Sequence, residues 1–189
     1  FLCTRVKSPD IDDMSKLKRV MEYIRTTIFI PLVLGWDKTG NLVWSIDVSF
    51  AVHMDMKSHT GFGLSLGLGA VTLSSLKQKL TASSTSTSEL YGIHDGMPMI
   101  TWFRLFYMVQ VKLIVDDGSI ETKAIKRLGK ASTILQDNTS TMQLAKNGKR
   151  SSSKRTRHVE IRYFYVSEEV EKGNIQILYC PTKEQWSNF

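Results

Sequence analysis

The chain has 189 residues, of which 42% are hydrophobic, and its formal net charge is +7 with an isoelectric point near 9.4. This length fits one main domain with a real core, and the charge favours an anionic partner such as nucleic acid or a membrane surface. Two cysteines are too few for a disulfide framework and favour a reducing compartment. The longest apolar stretch, 28–36, is too short for a membrane helix, and of the two anionic partners we expect nucleic acid and no membrane.

The first part of the chain predicts one helix and then strands. Apolar residues at helical spacing predict an amphipathic helix over 11–26, and β-branched and aromatic residues predict a strand over 41–53. Residues 61–75 predict a hairpin that turns at 67–69. Because no helix opens behind these glycines, we reject a phosphate-binding loop there.

The second part of the chain alternates helices and strands. Ser84 opens a long helix that we expect to bend at Pro98, and the polar stretch 116–130 predicts an inserted loop or short helix. The remaining predicted elements are a strand at 132–136, a helix at about 139–147, a helix ending at Gly173, a strand at 174–180 and a last helix after Pro181. Four aromatic residues of the long helix are predicted to lie in the core: Trp102, Phe103, Phe106 and Tyr107. This order predicts an α/β fold, with a mixed sheet flanked by helices.

Three carboxylates stand out by their positions. Asp47 lies within the most apolar strand, Glu89 lies in the first turns of the long helix, and Asp137 lies at the end of a strand. An ionised group in such a strand costs several kcal/mol unless it is paired or bound to a metal. Together the three acids would repel one another unless divalent cations neutralised them, and hard oxygen ligands favour magnesium or manganese over zinc. The four histidines show no zinc-type spacing.

Each carboxylate also has a purely structural alternative. Asp137 can cap the helix that follows it, Glu89 can interact with a helix N-terminus through the dipole, and Asp47 can pair with an arginine. The joint occurrence of the three acids in this order of elements favours the metal site.

Five segments in order resemble the ribonuclease H domain of copia-type LTR retrotransposon polyproteins. They read "SIDVSFAVH", "HTGFGLSLG", "LSSLKQKLTASSTSTSEL", "LQDNTSTMQLAKNGKRSSSKRTRHVEIRYFYV" and "GNIQILYCPTKEQ". Residues 1–40 resemble the C-terminal end of the reverse transcriptase that precedes this domain, so 41–189 are predicted to form the ribonuclease H-like domain. In that family the upstream reverse transcriptase is a partner in the same polyprotein.

The resemblance implies a ribonuclease H-like fold with a five-stranded mixed sheet. It also implies hydrolysis of the RNA strand of RNA/DNA hybrids by two Mg²⁺ ions, for which Mn²⁺ can substitute. The family's first aspartate, helix glutamate and strand-end aspartate fall on Asp47, Glu89 and Asp137, which are therefore the predicted catalytic residues and metal ligands. Reverse transcription in this family implies a cytoplasmic, virus-like particle.

The chain departs from the family pattern near its end. The family's fourth catalytic aspartate falls on Asn188, which offers an amide oxygen but no negative charge. The segment before Glu89 is altered to "STSTSEL", and the stretch 116–130 is longer than expected. These departures favour a degenerate copy with weakened activity.

A basic stretch is predicted to follow the phosphates of a hybrid without reading its sequence, with affinity that falls steeply with salt. Its residues are Lys146, Lys149, Arg150, Lys154, Arg155 and Arg157. The alternative is a merely solvated basic loop. Hydroxyl or amide contacts to sugar and backbone are predicted for Ser84, Thr85, Asn138 and Thr139. Glu160 is interpreted as a residue on a helix surface or one that supports the metal ligands. His158 is interpreted as a structural histidine, with a role as general base or in product release as the alternative.

Two functional hypotheses remain at this stage. The first is an endoribonuclease that acts through Asp47, Glu89 and Asp137. The second is a catalytically dead module that binds nucleic acid or braces a neighbouring polymerase. Asn188 is the residue that divides them.

Overall fold

The computed structural model describes residues 2–37, 39–116, 131–147 and 160–186. The chain divides into two compact units, Phe1–Val33 and Leu34–Phe189. The predicted insertion lies outside the described residues from 117 onward, as does the basic stretch from 148 to 159, together with Asn188. The assignment of 1–40 to a reverse transcriptase stays a prediction.

The smaller unit contains two helices, α1 (Leu2–Arg5) and α2 (Ile11–Thr27). The helix predicted over 11–26 is therefore present, and it begins at a capping box between Asp10 and Asp13. Its predicted apolar face is 42–59% exposed, and consists of Met14, Leu17, Val20, Met21 and Ile24.

The larger unit is built around a five-stranded sheet in the order β5-β3-β2-β6-β7. Its strands are β2 (Val43–Ser49), β3 (His59–Ser65), β5 (Ala70–Lys77), β6 (Ser132–Gln136) and β7 (Ile175–Tyr179). The first three pair antiparallel, whereas β6 runs parallel to β2 and β7 runs parallel to β6. The predicted five-stranded mixed sheet is confirmed.

Two short strands were not predicted. β1 (Gly35–Trp36) pairs with β4 (Gly67–Leu68), which interrupts the turn of the predicted hairpin between β3 and β5. β2 is shorter than the predicted strand over 41–53. It ends at Ser49 because the chain then turns, with Ala51 and Met56 at positive φ.

Three helices belong to the larger unit: α3 (Thr85–Asp116), α4 (Thr139–Asn147) and α5 (Glu160–Glu171). α3 continues through Pro98. Buried apolar side chains of β2, β3, β6 and β7 pack against α3 and α5 and form the core. Its large side chains with almost no exposed surface are Trp44, Ile46, Leu64, Leu90, Ile93, Met97, Ile100, Ile134 and Val166. None of the helices among the described residues is long and apolar enough to span a membrane.

Two predictions about the elements are wrong. Trp102 and Phe106 are 56% and 47% exposed and stack on each other, because they lie on a face of α3 turned away from the sheet; only Phe103 and Tyr107 pack against the core. After Pro181 the described chain forms a single 3-10 turn (Thr182–Glu184) instead of an α-helix. The backbone of Gln185 is then extended, with φ −81° and ψ 109°.

Candidate metal centre

The three predicted carboxylates meet at one end of the sheet. Asp47 lies on β2, Glu89 lies in the second turn of α3, and Asp137 directly follows β6. One carboxylate oxygen from each lies within 4.8 Å of the others. Glu89 is only 4% exposed, whereas Asp47 and Asp137 are half-buried. The cluster therefore has one closed side at the helix and one side open to solvent.

A close approach between α3 and β2 brings Glu89 to Asp47. Gly92 lies almost one helical turn after Glu89, and a Cβ atom there would lie 2.5 Å from Cγ2 of Val48. Val48 is the residue that follows Asp47 on β2. Glycine is thus required at position 92, because any side chain would push α3 away from the strand.

The structural alternatives for Asp137 and Asp47, a helix cap and an arginine partner, are not observed within the described residues. Asn138 caps α4, since its Oδ1 accepts the backbone N–H of Thr141 at 3.1 Å, and Ser84 caps α3 through the backbone N–H of Thr87 at 3.1 Å. Among the residues that the structure describes, no lysine, arginine or histidine forms an ion pair with any of the three carboxylates. The cluster is therefore negative and carries no protein cation within the described part of the chain.

The electrostatics of the cluster follow from this lack of a cation. Burial raises the pKa of Glu89 to about 8; the amide of Gln136 opposes the shift through a hydrogen bond, and Asp47 and Asp137 add to it. Burial, and then the charge of Asp137, also raise the pKa of Asp47. Both shifts favour the neutral acid, so a divalent cation that binds here would displace a proton from Glu89 near neutral pH.

The donor set fits a hard divalent cation. Three carboxylates converge, one of them buried, and oxygen ligands of this kind are those that Mg²⁺ and Mn²⁺ prefer in proteins. The residues that would hold the ion are Asp47, Glu89 and Asp137.

Comparisons of sequence find a retrotransposon polyprotein and one further relative. No protein-family model matches it. It is similar to the Retrovirus-related Pol polyprotein from transposon TNT 1-94 of Nicotiana tabacum, at 24% identity over 183 residues, which are 95% of this chain and 12% of the polyprotein. It is also similar to an uncharacterised mitochondrial protein of Arabidopsis thaliana, at 28% identity over 103 residues, which are 54% of this chain and 43% of that protein. The chain thus spans less than half the length of either relative.

A comparison of structures decides the fold. LC11 ribonuclease H1, isolated from compost by a metagenomic approach, matches with a TM-score of 0.50 and 9% identity, over 77% of this chain and 88% of that chain. The chain has a ribonuclease H fold. The fold implied by the sequence resemblance is therefore confirmed, and so is the resemblance to a retrotransposon polyprotein.

Two residues near the carboxylates of this ribonuclease H fold were missed by sequence reasoning. Gln136 is fully buried, and its Nε2 donates to Oε2 of Glu89 at 3.1 Å and to Oδ1 of Asp137 at 3.4 Å. Thr182 donates its hydroxyl to Oδ2 of Asp137 at 2.7 Å. The alternation of β6 was a usable signal, because it places Gln136 on the same face as the core residue Ile134.

The predicted nucleic-acid contacts are only partly within the described ribonuclease H fold. Ser84 and Asn138 cap α3 and α4, and Thr85 and Thr139 are exposed at the first positions of those helices. Lys146 is exposed in the last turn of α4. Lys149, Arg150, Lys154, Arg155 and Arg157 lie outside the described residues, as does His158. Glu160 begins α5. The binding roles of the predicted contact residues stay predictions, and so do the interpretations of His158 and Glu160.

Proposed function

We propose that the chain is a metal-dependent ribonuclease H that hydrolyses the RNA strand of RNA/DNA hybrids during retrotransposon reverse transcription. The observation that carries the proposal is the convergence of Asp47, Glu89 and Asp137 to within 4.8 Å, without a protein cation among the described residues. The ribonuclease H fold and the similarity to a Pol polyprotein support the choice of substrate.

The chain's own residues prepare the site before any ion arrives. The Gln136 amide holds one oxygen of Glu89 and one of Asp137, and Thr182 holds the other oxygen of Asp137. These bonds fix the directions of two carboxylates, so the site needs little rearrangement on binding. When bound, two Mg²⁺ ions supply a polarised water as nucleophile and positive charge that stabilises the leaving oxygen.

Substrate binding is assigned to surfaces beside this centre. Exposed Thr85 begins α3, the helix that carries Glu89. Exposed Thr139 begins α4, the helix that follows Asp137. Together with Lys146 and the basic residues up to Arg157, they are proposed to contact the sugar-phosphate backbone of the hybrid. Such contacts predict sequence-independent binding that weakens with salt.

A second candidate rests on a specific residue. Asn188 stands at the position predicted for a fourth carboxylate, which favours a catalytically dead module that still binds the hybrid. In both cases the upstream reverse transcriptase is the proposed partner, and a cytoplasmic particle is the proposed location.

Cleavage of a labelled RNA/DNA hybrid tests the proposal, first in Mg²⁺ and then in Mn²⁺. We compare the wild-type chain with Asp137→Asn and Asn188→Asp, and use Asp55→Asn as a control because Asp55 pairs with Lys57 and Lys77 and is not one of the three converging carboxylates. A weakened two-metal enzyme predicts cleavage that Asp137→Asn abolishes, Asn188→Asp increases and Asp55→Asn leaves unchanged. Inert forms that bind the hybrid in a salt-dependent way would instead establish the binding module.

A further inference from the structure

The strands β2 and β6, which lead to Asp47 and Asp137, stop pairing with each other just before these two carboxylates. β2 and β6 pair in parallel register from Val43↔Thr133 to Ser45↔Leu135. Asp47 and Asp137 each lie two residues beyond that last pair. At this point the strands need another connection, because the ladder itself no longer holds them at a fixed separation.

Gln185 occupies that point. Its side-chain Nε2 donates to the backbone carbonyl of Ile46 at 2.5 Å and to that of Leu135 at 3.4 Å. A carboxamide nitrogen carries two hydrogens, so one side chain can serve both acceptors. Ile46 directly precedes Asp47, and Leu135 lies two residues before Asp137. One amide thus joins the two strands next to their carboxylates.

The segment around Gln185 is itself held in place. Gln185 is 4% exposed, and its extended backbone ends the 3-10 turn, which starts at Thr182. Trp186 packs over β3, where a Cβ atom on Gly63 would lie 2.8 Å from the tryptophan ring. Since the 3-10 turn precedes Gln185 and the packed Trp186 follows it, the amide of Gln185 is constrained to face the two carbonyls.

We propose that Gln185 is a positioning residue for the metal centre: it joins β2 to β6 so that Asp47 and Asp137 are held at a separation suited to divalent cations. The inference rests on the proposed function of the carboxylates as metal ligands. Gln185 touches no carboxylate itself and acts through the backbone of Ile46 and Leu135.

The physical need for such a connection comes from repulsion. Asp47 and Asp137 are like-charged when ionised, and their mutual repulsion favours separation of the strand ends that carry them. Without Gln185 the metal-free site would open, and binding of an ion would have to restore its geometry. Residues that orient metal ligands typically contribute about 10–100-fold to metal affinity for this reason.

Titration of the full chain with Mn²⁺, followed by electron paramagnetic resonance, tests the inference. Gln185→Met keeps the length of the side chain without its N–H groups, and Gln185→Leu removes them with a branched apolar side chain. Both should weaken Mn²⁺ binding by about tenfold, while circular dichroism of the metal-free chain is unchanged. Gln176→Met is the matched control, because Gln176 also joins two strands, by donating to Thr133 at 2.7 Å, but at the opposite end of the sheet.

A second measurement needs no variant. In the wild-type chain the side-chain N–H₂ protons of Gln185 should exchange slowly with solvent by NMR, as expected for a buried amide with two acceptors. Rapid exchange would overturn the inference, and so would wild-type Mn²⁺ affinity in both Gln185 variants. Absence of Mn²⁺ binding by the wild type, with slow amide exchange intact, would instead overturn the proposed metal centre and with it the role of Gln185.

Discussion

Two carboxylates, one in each compact unit, are almost equally hidden from water yet differ in their protonation. Asp13 is 5% exposed and Glu89 is 4% exposed. Burial opposes ionisation of Asp13, but the backbone N–H of Asp10 and the guanidinium of Arg5, 2.9 Å away, outweigh it, so the pKa of Asp13 lies below its usual value. Glu89 has no such cation among the described residues, and its pKa rises to about 8.

The difference separates a structural carboxylate from a candidate ligand. Asp13 completes the capping box of α2 and is neutralised within its own unit. Glu89 lies beside two further carboxylates, so the charge of the cluster can be neutralised only by protons or by a cation from outside the described residues. The exposed fraction alone does not distinguish the two; the deeper burial of Glu89, together with the partner cation of Asp13, does.

The largest expected effect is on the pH dependence of stability, through Glu89. Its pKa is about 8 in the folded chain against an ordinary 4.5, so between these values the unfolded state loses the proton that the folded state keeps. Stability of the metal-free chain is therefore not reduced by Glu89 below pH 4.5 and falls as the pH rises towards 8. Above pH 8, Glu89→Gln should therefore raise the free energy of unfolding by roughly 5 kcal/mol.

Urea unfolding in the presence of a chelator, at about pH 4 and about pH 9, measures this effect. The gain from Glu89→Gln should be confined to the higher pH, so the same pair of proteins at low pH is the control. An equal difference between variant and wild type at both values would contradict the raised pKa of Glu89.

The next largest effect sharpens the comparison by testing whether a divalent cation neutralises the cluster around Glu89. Asp47→Asn removes one of the three charges at the centre and should lower Mn²⁺ affinity by roughly a hundredfold, measured by isothermal titration calorimetry. Asp55→Asn removes an exposed charge that Lys77 already neutralises at 2.8 Å, and should leave the affinity unchanged. Equal losses in the two variants would mean that Mn²⁺ responds to overall charge and not to this centre.

A smaller effect would break the comparison by making Asp13 resemble Glu89. Arg5→Met removes the guanidinium that donates to Asp13 at 2.9 Å. The pKa of Asp13 should then rise, because burial remains while the hydrogen bond and the opposite charge are gone. NMR titration of the carboxyl carbon measures the shift. Lys18→Met is the control, since Lys18 lies 4.0 Å from Glu22 and does not pair with Asp13; the same shift in both variants would argue against the ion pair as the cause.

The smallest effect is expected for an exposed ion pair on the surface of α2. Lys16 and Asp12 lie 2.6 Å apart, with side chains 44% and 70% exposed. Exposed pairs of this kind contribute little, because water screens the charges and the side chains lose freedom. Lys16→Ala should therefore leave thermal unfolding unchanged within error, and a clear loss would show that the pair has a structural role.

Much of the sheet could be predicted because its elements are marked locally. β6 and α4 have the predicted bounds of 132–136 and 139–147, since an apolar run ends at Asp137 and Asn138 is a capping residue. The convergence of Asp47, Glu89 and Asp137 followed from their places on three such elements. Helix and strand periodicity were sufficient there.

Other features depend on distant contacts and could not be predicted in this way. An apolar stripe at helical spacing is the same pattern whether it faces a core or, as at Trp102 and Phe106, solvent. The two-residue pairing of β1 with β4 has too little local sequence to be visible. The extended backbone at Gln185 replaces the predicted helix because its side chain bonds to Ile46, far away in the chain.

The bond from Gln185 to Ile46 closes a loop of 139 residues. Contacts of such long range form late in folding, because loop-closure entropy is lost before the contact can repay it. During synthesis the strand that carries Asp47 leaves the ribosome well before Gln185 exists. The three acids can therefore come together in a folding chain while their final spacing is still unset, and full affinity for a cation arises only after Gln185 has joined the two strands.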